Sequence, residues 1–258
     1  MEESVRLSEV GWDNSVNPID QLRIEKAATD CGFEMTPVEH EGGLELRSAR
    51  FPEAVLVRPG EAMSFTVMGP DRLLPNSTDE GGQITVEGFT ALYEVLRTAA
   101  AHARTLPNRV ADAFRRETDG MPRSTEAERV VVQRVGQDLF RAALLDYWQG
   151  RCCVTGLAVP ELLRASHIKP WAACQTDNER LDVFNGLLLA PHIDALFDGG
   201  WISFSDNGLV LISEALSADA AARLGVRSDC MVEGLQPGHK QYLAHHRQHE
   251  LRRTDCPI

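Results

Sequence analysis

The segment RLDVFNGLLLAPHIDALFDGGWISF, residues 180–204, indicates the fold because a short apolar run and a short helix follow one another directly in it. Asn185 opens the run NGLLL, and His192 and Asp194 begin the helix HIDALFD. A little earlier in the chain, His167 lies in SHIKPW. These polar side chains stand among turn residues at spacings that a plain hydrophobic core does not need. We therefore interpret this part of the chain as a candidate functional site.

Three further stretches accompany this segment. RCCVTG occupies residues 151–156 and LLRASHIKPW residues 162–171, and the helical stretch RVGQDLFRAALLDYW at residues 134–148 precedes both. In this order and at this close range, the four stretches resemble the HNH nucleases, specifically those of the bacterial restriction-type endonucleases. The resemblance covers about residues 125–250 and does not extend to residues 1–120.

The resemblance implies a ββα-metal fold, in which a hairpin and a helix hold one divalent cation against a scissile phosphodiester. It implies that His167 is the general base that activates water, and that Asn185 orients the loop carrying this base. Asp194 falls at the final metal-ligand position. Two positions depart from the familiar pattern, because Ser166 stands where a second, acidic ligand is expected and Asp194 stands where a histidine is common. The nearest histidine, His192, is therefore a further candidate metal ligand.

The implied metal is Mg²⁺ or Mn²⁺, because an oxygen-rich shell of Asp194, water and phosphate oxygens suits these ions better than a closed zinc site. Phosphodiester hydrolysis needs a base with a pKa near neutrality and a cation that offsets charge on the phosphorane. His167, Asp194 and a divalent metal ion supply these parts. The expected partner is DNA, and the candidate side chains for contacts to it are Arg164, Lys169, Arg180, His246 and Arg247.

Each of these residues also has a structural explanation. The Asn-Gly pair at Asn185 is a strong turn signal. Asp194 is an acidic residue in the first turn of a helix, where the helix dipole favours negative charge. Asp198 fits a turn before two glycines, and His246 fits a solvated helix near the C-terminus. The sequence alone leaves these alternatives open for each residue taken singly.

A long helix is predicted to lead into the candidate site. Thr125 and Glu128 form a capping-box pattern at its start. The segment ETDGMPRS, Glu117–Ser124, contains glycine and proline and is the predicted linker. We therefore predict an α+β protein with a small α+β domain at residues 1–120 and the HNH nuclease domain at residues 121–258. One face of the connecting helix is predicted to carry Val131, Val135, Leu139, Ala142, Leu145 and Trp148.

Residues 1–120 are predicted to combine two helices with a small antiparallel sheet. The first helix follows Pro18 and ends before Gly32, which fits a C-cap. Short alternating segments at residues 44–47, 54–58 and 64–68 predict strands. A second helical period runs over residues 86–103, and Pro107 closes it.

Composition limits the function classes. The formal net charge is −12, of which residues 1–120 carry −9 and residues 121–258 carry −3. An acidic chain is a poor non-specific coat for nucleic acid, so DNA contacts are expected only locally in the second half. The six cysteines include no CxxC pair and are interpreted as free thiols, with Cys152 and Cys153 in packing roles. No apolar run predicts a membrane span, and the acidic start MEESVRLSEV is unlike a signal peptide, so we expect the cytoplasm.

The leading hypothesis is a metal-dependent DNA endonuclease in bacterial restriction or defence against foreign or modified DNA. One alternative is a DNA-binding adaptor that keeps the fold without activity, and another is a toxin or RNA-cleaving nuclease. Because of its charge, the N-terminal domain is expected to be a poor phosphate binder. A recognition or regulatory role, with a protein partner, a small ligand or the second subunit of a homodimer, is open for it.

Overall fold

The structure is a computed structural model, and it describes residues 16–74, 82–106 and 109–253. The chain has an α+β fold, as predicted, and divides into two compact units. The first lies within Met1–Pro70 and Ser77–Arg97, and the second within Asp71–Asn76 and Thr98–Ile258. The predicted features at MEESVRLSEV, Pro107 and Cys256 lie outside the described residues.

The described residues of the first unit include a helix, a five-stranded antiparallel sheet and the beginning of a second long helix. Helix α1, Pro18–Cys31, begins where the Asn17 side chain accepts from the Ile19 N–H, and it ends at Gly32 in the left-handed region, at φ 105°. The strands follow one another in the order β1-β2-β3-β4-β5. Their bounds are Val38–His40 (β1), Gly43–Leu46 (β2), Val55–Pro59 (β3), Ser64–Met68 (β4) and Gln83–Glu87 (β5).

The alternation of apolar residues explains which strands could be predicted. In β3 and β4, Val55, Val57, Phe65 and Val67 are buried on one face. The predicted strands at residues 44–47, 54–58 and 64–68 are confirmed to within one residue at each end. Strands β1 and β5 were missed because β1 is exposed throughout and β5 has no fully buried residue. Edge strands without a buried face lack the period-2 signal.

Three helices follow the sheet. Helix α2 spans Gly88–Thr105, so the helix predicted over residues 86–103 is confirmed with a shift of two residues. Helix α3, Arg109–Glu117, was not predicted, and α4 spans Glu126–Tyr147. The capping box of α4 is present as predicted, with Thr125 Oγ1 accepting from the Glu128 N–H. The two compact units divide within α2, and a domain boundary near residue 120 stays a prediction.

The buried face of α4 differs from the predicted one. Val131 is 54% exposed, and the buried residues are Val132, Gly136, Phe140, Ala143, Leu144 and Tyr147. The prediction followed the aliphatic residues and gave no weight to Gly136. In the structure the rings of Trp171 and Phe114 pack directly against this glycine. A Cβ atom added here would lie only 3.0 Å from the Trp171 ring and 3.3 Å from the Phe114 ring. The buried face of α4 is therefore displaced by about one residue from the predicted face, towards the side that carries the glycine.

The second unit continues with a ββα arrangement. Strands β6 (Arg164–His167) and β7 (Gly186–Leu189) pair antiparallel, with His167 opposite Gly186. Helix α5, Asp177–Arg180, lies in the connection between them, and helix α6, Pro191–Asp198, follows β7 directly. The remaining elements are β8 (Ile202–Phe204), β9 (Val210–Ile212), α7 (Ala218–Arg223) and α8 (Pro237–His249). Within the described ranges, no helix is long and apolar enough to cross a membrane.

One hydrophobic cluster joins the elements of the second unit. All of β7 is buried, together with Ile193 and Phe197 of α6. Phe140 of α4 and Phe114 of α3 belong to the same cluster. Cys152 and Cys153 are buried free thiols in it, as predicted, and the Cys152 Sγ accepts from the Ala190 N–H at 3.2 Å. The ββα arrangement therefore packs against α4 and against the loop that follows α4.

Candidate active site

His167 stands at the end of β6 with its ring held on several sides. The ring stacks on Phe140 at a centroid distance of 3.9 Å, and it meets the edge of Trp171 at 5.5 Å. Its Nε2 lies 2.8 Å from the main-chain oxygen of Arg180. Stacking and the hydrogen bond together fix the orientation of the imidazole, which is a requirement for a positioned acid or base.

The hydrogen bond also fixes which nitrogen carries the proton. A carbonyl oxygen only accepts, so Nε2 donates to Arg180, and Nδ1 of the neutral ring keeps its lone pair. Burial lowers the pKa of His167, and this exceeds the opposing effects of the Arg180 carbonyl and of the Asp198 carboxylate. The imidazole is therefore neutral near pH 7 and can accept a proton at Nδ1.

Asn185 is completely buried next to the loop that follows His167. Its Oδ1 accepts from the Lys169 N–H at 2.7 Å, and its Nδ2 donates to the Lys169 oxygen at 3.2 Å and to the Glu179 oxygen at 3.0 Å. Its main-chain oxygen accepts from the Ile168 N–H at 3.0 Å. One side chain therefore ties together the segment after the histidine and the helix that supplies the Arg180 carbonyl. This geometry is that of a positioning residue.

Two carboxylates of α6 lie beside β6. Asp194 and Asp198 are four residues apart and thus on one face of the helix. The Ser166 hydroxyl donates to Asp198 Oδ1 at 2.8 Å, and it lies close enough to Asp194 to lower the pKa of that carboxyl. Burial and the neighbouring Asp198 charge raise the pKa of Asp194, and the Ser166 hydroxyl and Arg164 only partly oppose this. The two carboxylates thus place negative charge close together, and the positive charge of Arg164 offsets it only in part.

This arrangement fits a hard divalent cation. Among the described residues, no group of three or more His, Cys, Asp or Glu side chains is placed to hold a metal ion. The oxygen set is instead two carboxylates and one hydroxyl, from Asp194, Asp198 and Ser166. Mg²⁺ is commonly bound by one or two carboxylates and completes its shell with water and phosphate oxygens. Like charges that raise a carboxyl pKa are relieved by a cation between them.

The basic residues of the site differ in their availability. Arg164 is exposed at the start of β6 and acts electrostatically on Asp194. Lys169 forms an ion pair with Glu179, with Nζ 3.0 Å from Oε1. The Arg180 guanidinium donates to the Cys174 oxygen at 2.6 Å and pairs with Asp177 at 3.1 Å. Arg164 therefore faces solvent next to the carboxylates, whereas Lys169 and Arg180 hold the loop that carries the His167 contact.

Three of the predicted site residues do not join this group. His246 is buried, stacks on Phe197 at 3.9 Å, and uses both ring nitrogens, with Ser203 Oγ at 2.9 Å and the Phe197 oxygen at 3.2 Å. Its predicted DNA contact is therefore corrected to a place in the core. Arg247 donates to the Phe204 oxygen at 2.8 Å and pairs with Asp206 at 2.6 Å. His192 is exposed, and two residues of helix separate its side chain from that of Asp194 by more than half a turn.

Asp198 was not among the predicted metal ligands, because the sequence interpretation assigned it to a turn and considered it for cation binding only as one of several acids in this stretch. A usable signal was present. Asp194 and Asp198 stand at positions i and i+4 of a predicted helix, and this spacing places both carboxylates on one face. Phe140 was noted only as part of the preceding helix, and its stacking on His167 carries no sequence signal.

A hairpin that carries a histidine, followed directly by a helix that carries carboxylates, defines the ββα class of site. The family model described as HNH endonuclease matches residues 152–205, about a fifth of the chain. The match confirms the resemblance seen in the sequence, and it indicates nuclease activity for this part of the protein. It covers His167, Asn185, Asp194 and Asp198. No curated protein matches the chain.

Proposed function

We propose that this protein is a metal-dependent endonuclease that hydrolyses phosphodiester bonds of DNA, with His167 as the general base. The observation that carries the proposal is the state of the His167 ring. Its Nε2–H is engaged by the Arg180 carbonyl at 2.8 Å, its pKa is lowered by burial, and its Nδ1 is left as a base next to a pair of carboxylates.

In the proposed mechanism, Nδ1 of His167 takes a proton from a water molecule as its oxygen attacks phosphorus. A new P–O bond forms, the bond from phosphorus to the leaving oxygen breaks, and that oxygen leaves with a proton from solvent. Phe140 and Trp171 keep the imidazole from rotating during the proton transfer. Asn185 is a positioning residue, because it holds Lys169 and Glu179 and so the loop that ends at the Arg180 carbonyl.

Asp194 and Asp198, with the Ser166 hydroxyl, would hold the divalent ion, for which Mg²⁺ or Mn²⁺ is the proposed identity. When bound, this ion supplies charge that stabilises the developing phosphorane. Arg164, exposed beside Asp194, is proposed to contact a backbone phosphate of DNA. The carboxylate pair repels phosphate on its own, so the proposal requires the cation for substrate binding as well as for chemistry.

The test is cleavage of supercoiled plasmid by the full chain in Mg²⁺ or Mn²⁺. We expect His167→Ala to lower the rate by about 100-fold or more while circular dichroism and the Tm remain near those of the unchanged protein. His40→Ala is the matched control, because His40 is an exposed histidine of β1 in the other compact unit. Cleavage by His167→Ala at the control rate would remove His167 from the mechanism, and binding of DNA without cleavage would favour the adaptor.

We further propose a role in restriction of foreign or modified DNA. The resemblance to restriction-type enzymes is what supports it, and a comparison of methylated with unmodified plasmid tests it. A rate difference between the two substrates supports the role, whereas equal rates, or faster cleavage of RNA, would contradict it. The cytoplasmic location, and a homodimer or protein partner for the N-terminal domain, stay predictions.

A further inference from the structure

The C-terminal end of the described chain contacts the end of helix α6, which carries the carboxylates of the candidate site. The HNH match ends at residue 205, and the mechanism proposed above gives helix α8 no role. The chain turns where α8 ends, because the Glu250 and Leu251 N–H groups both donate to the His246 oxygen, at 2.9 and 3.0 Å. This turn brings Arg252 against Gly200, two residues after the end of α6.

Arg252 contacts the turn that follows α6 through both its main chain and its side chain. Its N–H donates to the Gly200 oxygen at 2.9 Å, and its guanidinium Nε donates to the Gly199 oxygen at 2.7 Å. The guanidinium also lies over the Trp201 ring, 3.9 Å from the ring centroid, as in a cation–π contact. The Arg252 oxygen accepts from the Ser213 hydroxyl at 2.8 Å. One arginine therefore binds three consecutive residues of the turn, and Ser213 fixes the place of that arginine.

The contact between Gly200 and Glu250 leaves no room for a side chain. Gly200 adopts a φ of 68°, in the left-handed region, and a Cβ atom added to it would collide with the main-chain oxygen of Glu250. The end of α8 therefore packs backbone against backbone on the turn after α6. A displacement of the end of α8 is passed directly to this turn, since no flexible side chain lies between the two segments.

Helix α8 also holds the last turn of α6 from inside the core. His246 stacks on the Phe197 ring at a centroid distance of 3.9 Å. Its Nε2 donates to the Phe197 oxygen at 3.2 Å, and its Nδ1 accepts from the Ser203 hydroxyl at 2.9 Å. Phe197 precedes Asp198 in the chain, and Gly199 follows it. The two chain neighbours of Asp198 are therefore both bound by residues that lie beyond the HNH match.

We propose that Arg252 and His246 are positioning residues for the divalent cation, because they fix the main chain on either side of Asp198. The inference rests on the proposed function, in which Asp194 and Asp198 hold this cation. Mg²⁺ demands a nearly ideal arrangement of its oxygen ligands, so the position of each carboxylate limits the affinity. Partners that only orient a metal ligand commonly account for about 10- to 100-fold in metal affinity.

The position of Asp198 explains why its carboxylate needs this support. Asp198 is the last residue of α6, a helix of only eight residues, and helix ends fray. The helix dipole also disfavours a negative charge at this end. Main-chain oxygens at a helix C-terminus lack partners within the helix. His246 and Arg252 donate to two such oxygens, and these hydrogen bonds keep the last turn of α6 formed.

The test is the binding of Mn²⁺ to the full chain without DNA, followed by the electron paramagnetic resonance signal of the free ion. Arg252→Lys keeps the positive charge but loses the flat guanidinium that reaches Gly199 and covers Trp201. We expect this variant to raise the Kd for Mn²⁺ about tenfold. Arg253→Lys is the matched control, because Arg253 is the next residue and is exposed, and it should leave the Kd unchanged. An unchanged Kd in Arg252→Lys would overturn the proposal.

A double-mutant cycle shows whether Arg252 acts through Asp198. Asp198→Asn is expected to weaken Mn²⁺ binding by itself, and Arg252→Lys should then cause no further loss in the Asp198→Asn background. Equal effects of Arg252→Lys in the two backgrounds would overturn the inference and leave the proposed function standing. If Asp198→Asn leaves the Kd unchanged, the cation site of the proposed function fails, and the inference fails with it.

Further variants separate positioning from general stability. Trp201→Leu removes the ring under the guanidinium, whereas Trp201→Phe keeps a ring there. We expect Trp201→Leu to weaken Mn²⁺ binding about tenfold and Trp201→Phe to retain most of the affinity. Gly225→Ala should lower the Tm and leave the Kd unchanged, because Gly225 has a φ of 70° and nothing packed against it. If Gly225→Ala weakened Mn²⁺ binding as much as Arg252→Lys does, a general loss of stability would explain both results and overturn the proposal.

Discussion

At the scale of single residues, the candidate site contains buried polar groups whose effect on stability depends on the partner of each group. Burial keeps the His167 ring neutral and the Arg180 carbonyl orients it, so the ring carries no charge and can accept a proton. Asp194 and Asp198 show the opposite case. Two carboxylates placed together destabilise the protein unless a cation joins them, so their arrangement costs stability and is explained by the cation binding that we propose.

This conflict gives a prediction with two readouts. Asp194→Asn removes the repulsion between the two carboxylates, so in EDTA we expect the Tm to rise. The same change removes a charged oxygen ligand, so the Mg²⁺ concentration for half-maximal cleavage should rise roughly tenfold or more. Asp219→Asn, on the surface of α7 and paired with Arg223, is the control for both measurements. A fall in Tm without a change in metal requirement would show that Asp194 is structural.

At the scale of elements, α4 packs so closely against the β6–β7 hairpin that a side chain larger than glycine does not fit at position 186. A Cβ atom added to Gly186 would lie 2.6 Å from Phe140 Cζ and 2.7 Å from Leu144 Cδ1. Phe140 in turn stacks on His167. Packing therefore requires a glycine after Asn185, and Phe140 connects this packing to the ring of His167, the proposed general base.

We expect Gly186→Ala to destabilise the protein by about 1–3 kcal/mol, as overpacking does, and to lower cleavage further by displacing Phe140 from His167. Urea unfolding and plasmid cleavage measure the two effects. Gly225→Ala is the control, because Gly225 has open space around it and a φ of 70°. Its free energy of unfolding should fall by about 1 kcal/mol from backbone strain alone, and its cleavage activity should be unchanged. Equal activity of the two variants would separate the Phe140 contact from catalysis.

The elements also show what the sequence could and could not predict. The ββα arrangement, the capping box at Thr125 and the roles proposed for His167 and Asn185 follow from motifs and local signals. The buried face of α4 does not, because Gly136 has no hydropathy and its burial depends on Trp171 and Phe114, which are remote in sequence. The core position of His246 was missed for the same reason, since Phe197 and Ser203 reach it only in the fold.

At the scale of the whole molecule, the position of α3 bears on the domain boundary. Val110, Ala111 and Phe114 of α3 belong to the same hydrophobic cluster as Phe140. We expect a fragment that begins at Ser124 to be less stable than one that begins at Arg109 by about 3 kcal/mol or more, the cost of losing one buried phenylalanine. Urea unfolding of the two fragments measures this. Equal stability would instead support an independent domain that starts near residue 121.

The whole second unit is expected to be sensitive to acid, because burial lowers the pKa of several of its histidines, His167 included. Burial lowers the pKa of His102 and of His246 to about 4 and that of His239 to about 3. Unfolded histidines titrate near 6.5, so below this pH the unfolded chain binds protons that the folded unit does not. Stability is then fully present above about pH 7 and falls as the pH drops from 6.5 towards 4, by up to about 1.4 kcal/mol per pH unit for each histidine.

Urea unfolding between about pH 7.5 and 5 measures this slope, a window that lies above the ordinary range of the carboxyl groups. His246→Gln removes one of these titrations, so its slope should be smaller than that of the unchanged protein. His40→Gln, at an exposed position of the other unit, is the control for the effect of a histidine substitution as such. If His246→Gln has the full slope, protons enter the folded unit without unfolding it, and the buried histidines are then accessible to water in a way that their packing against Phe197 and Tyr147 does not allow.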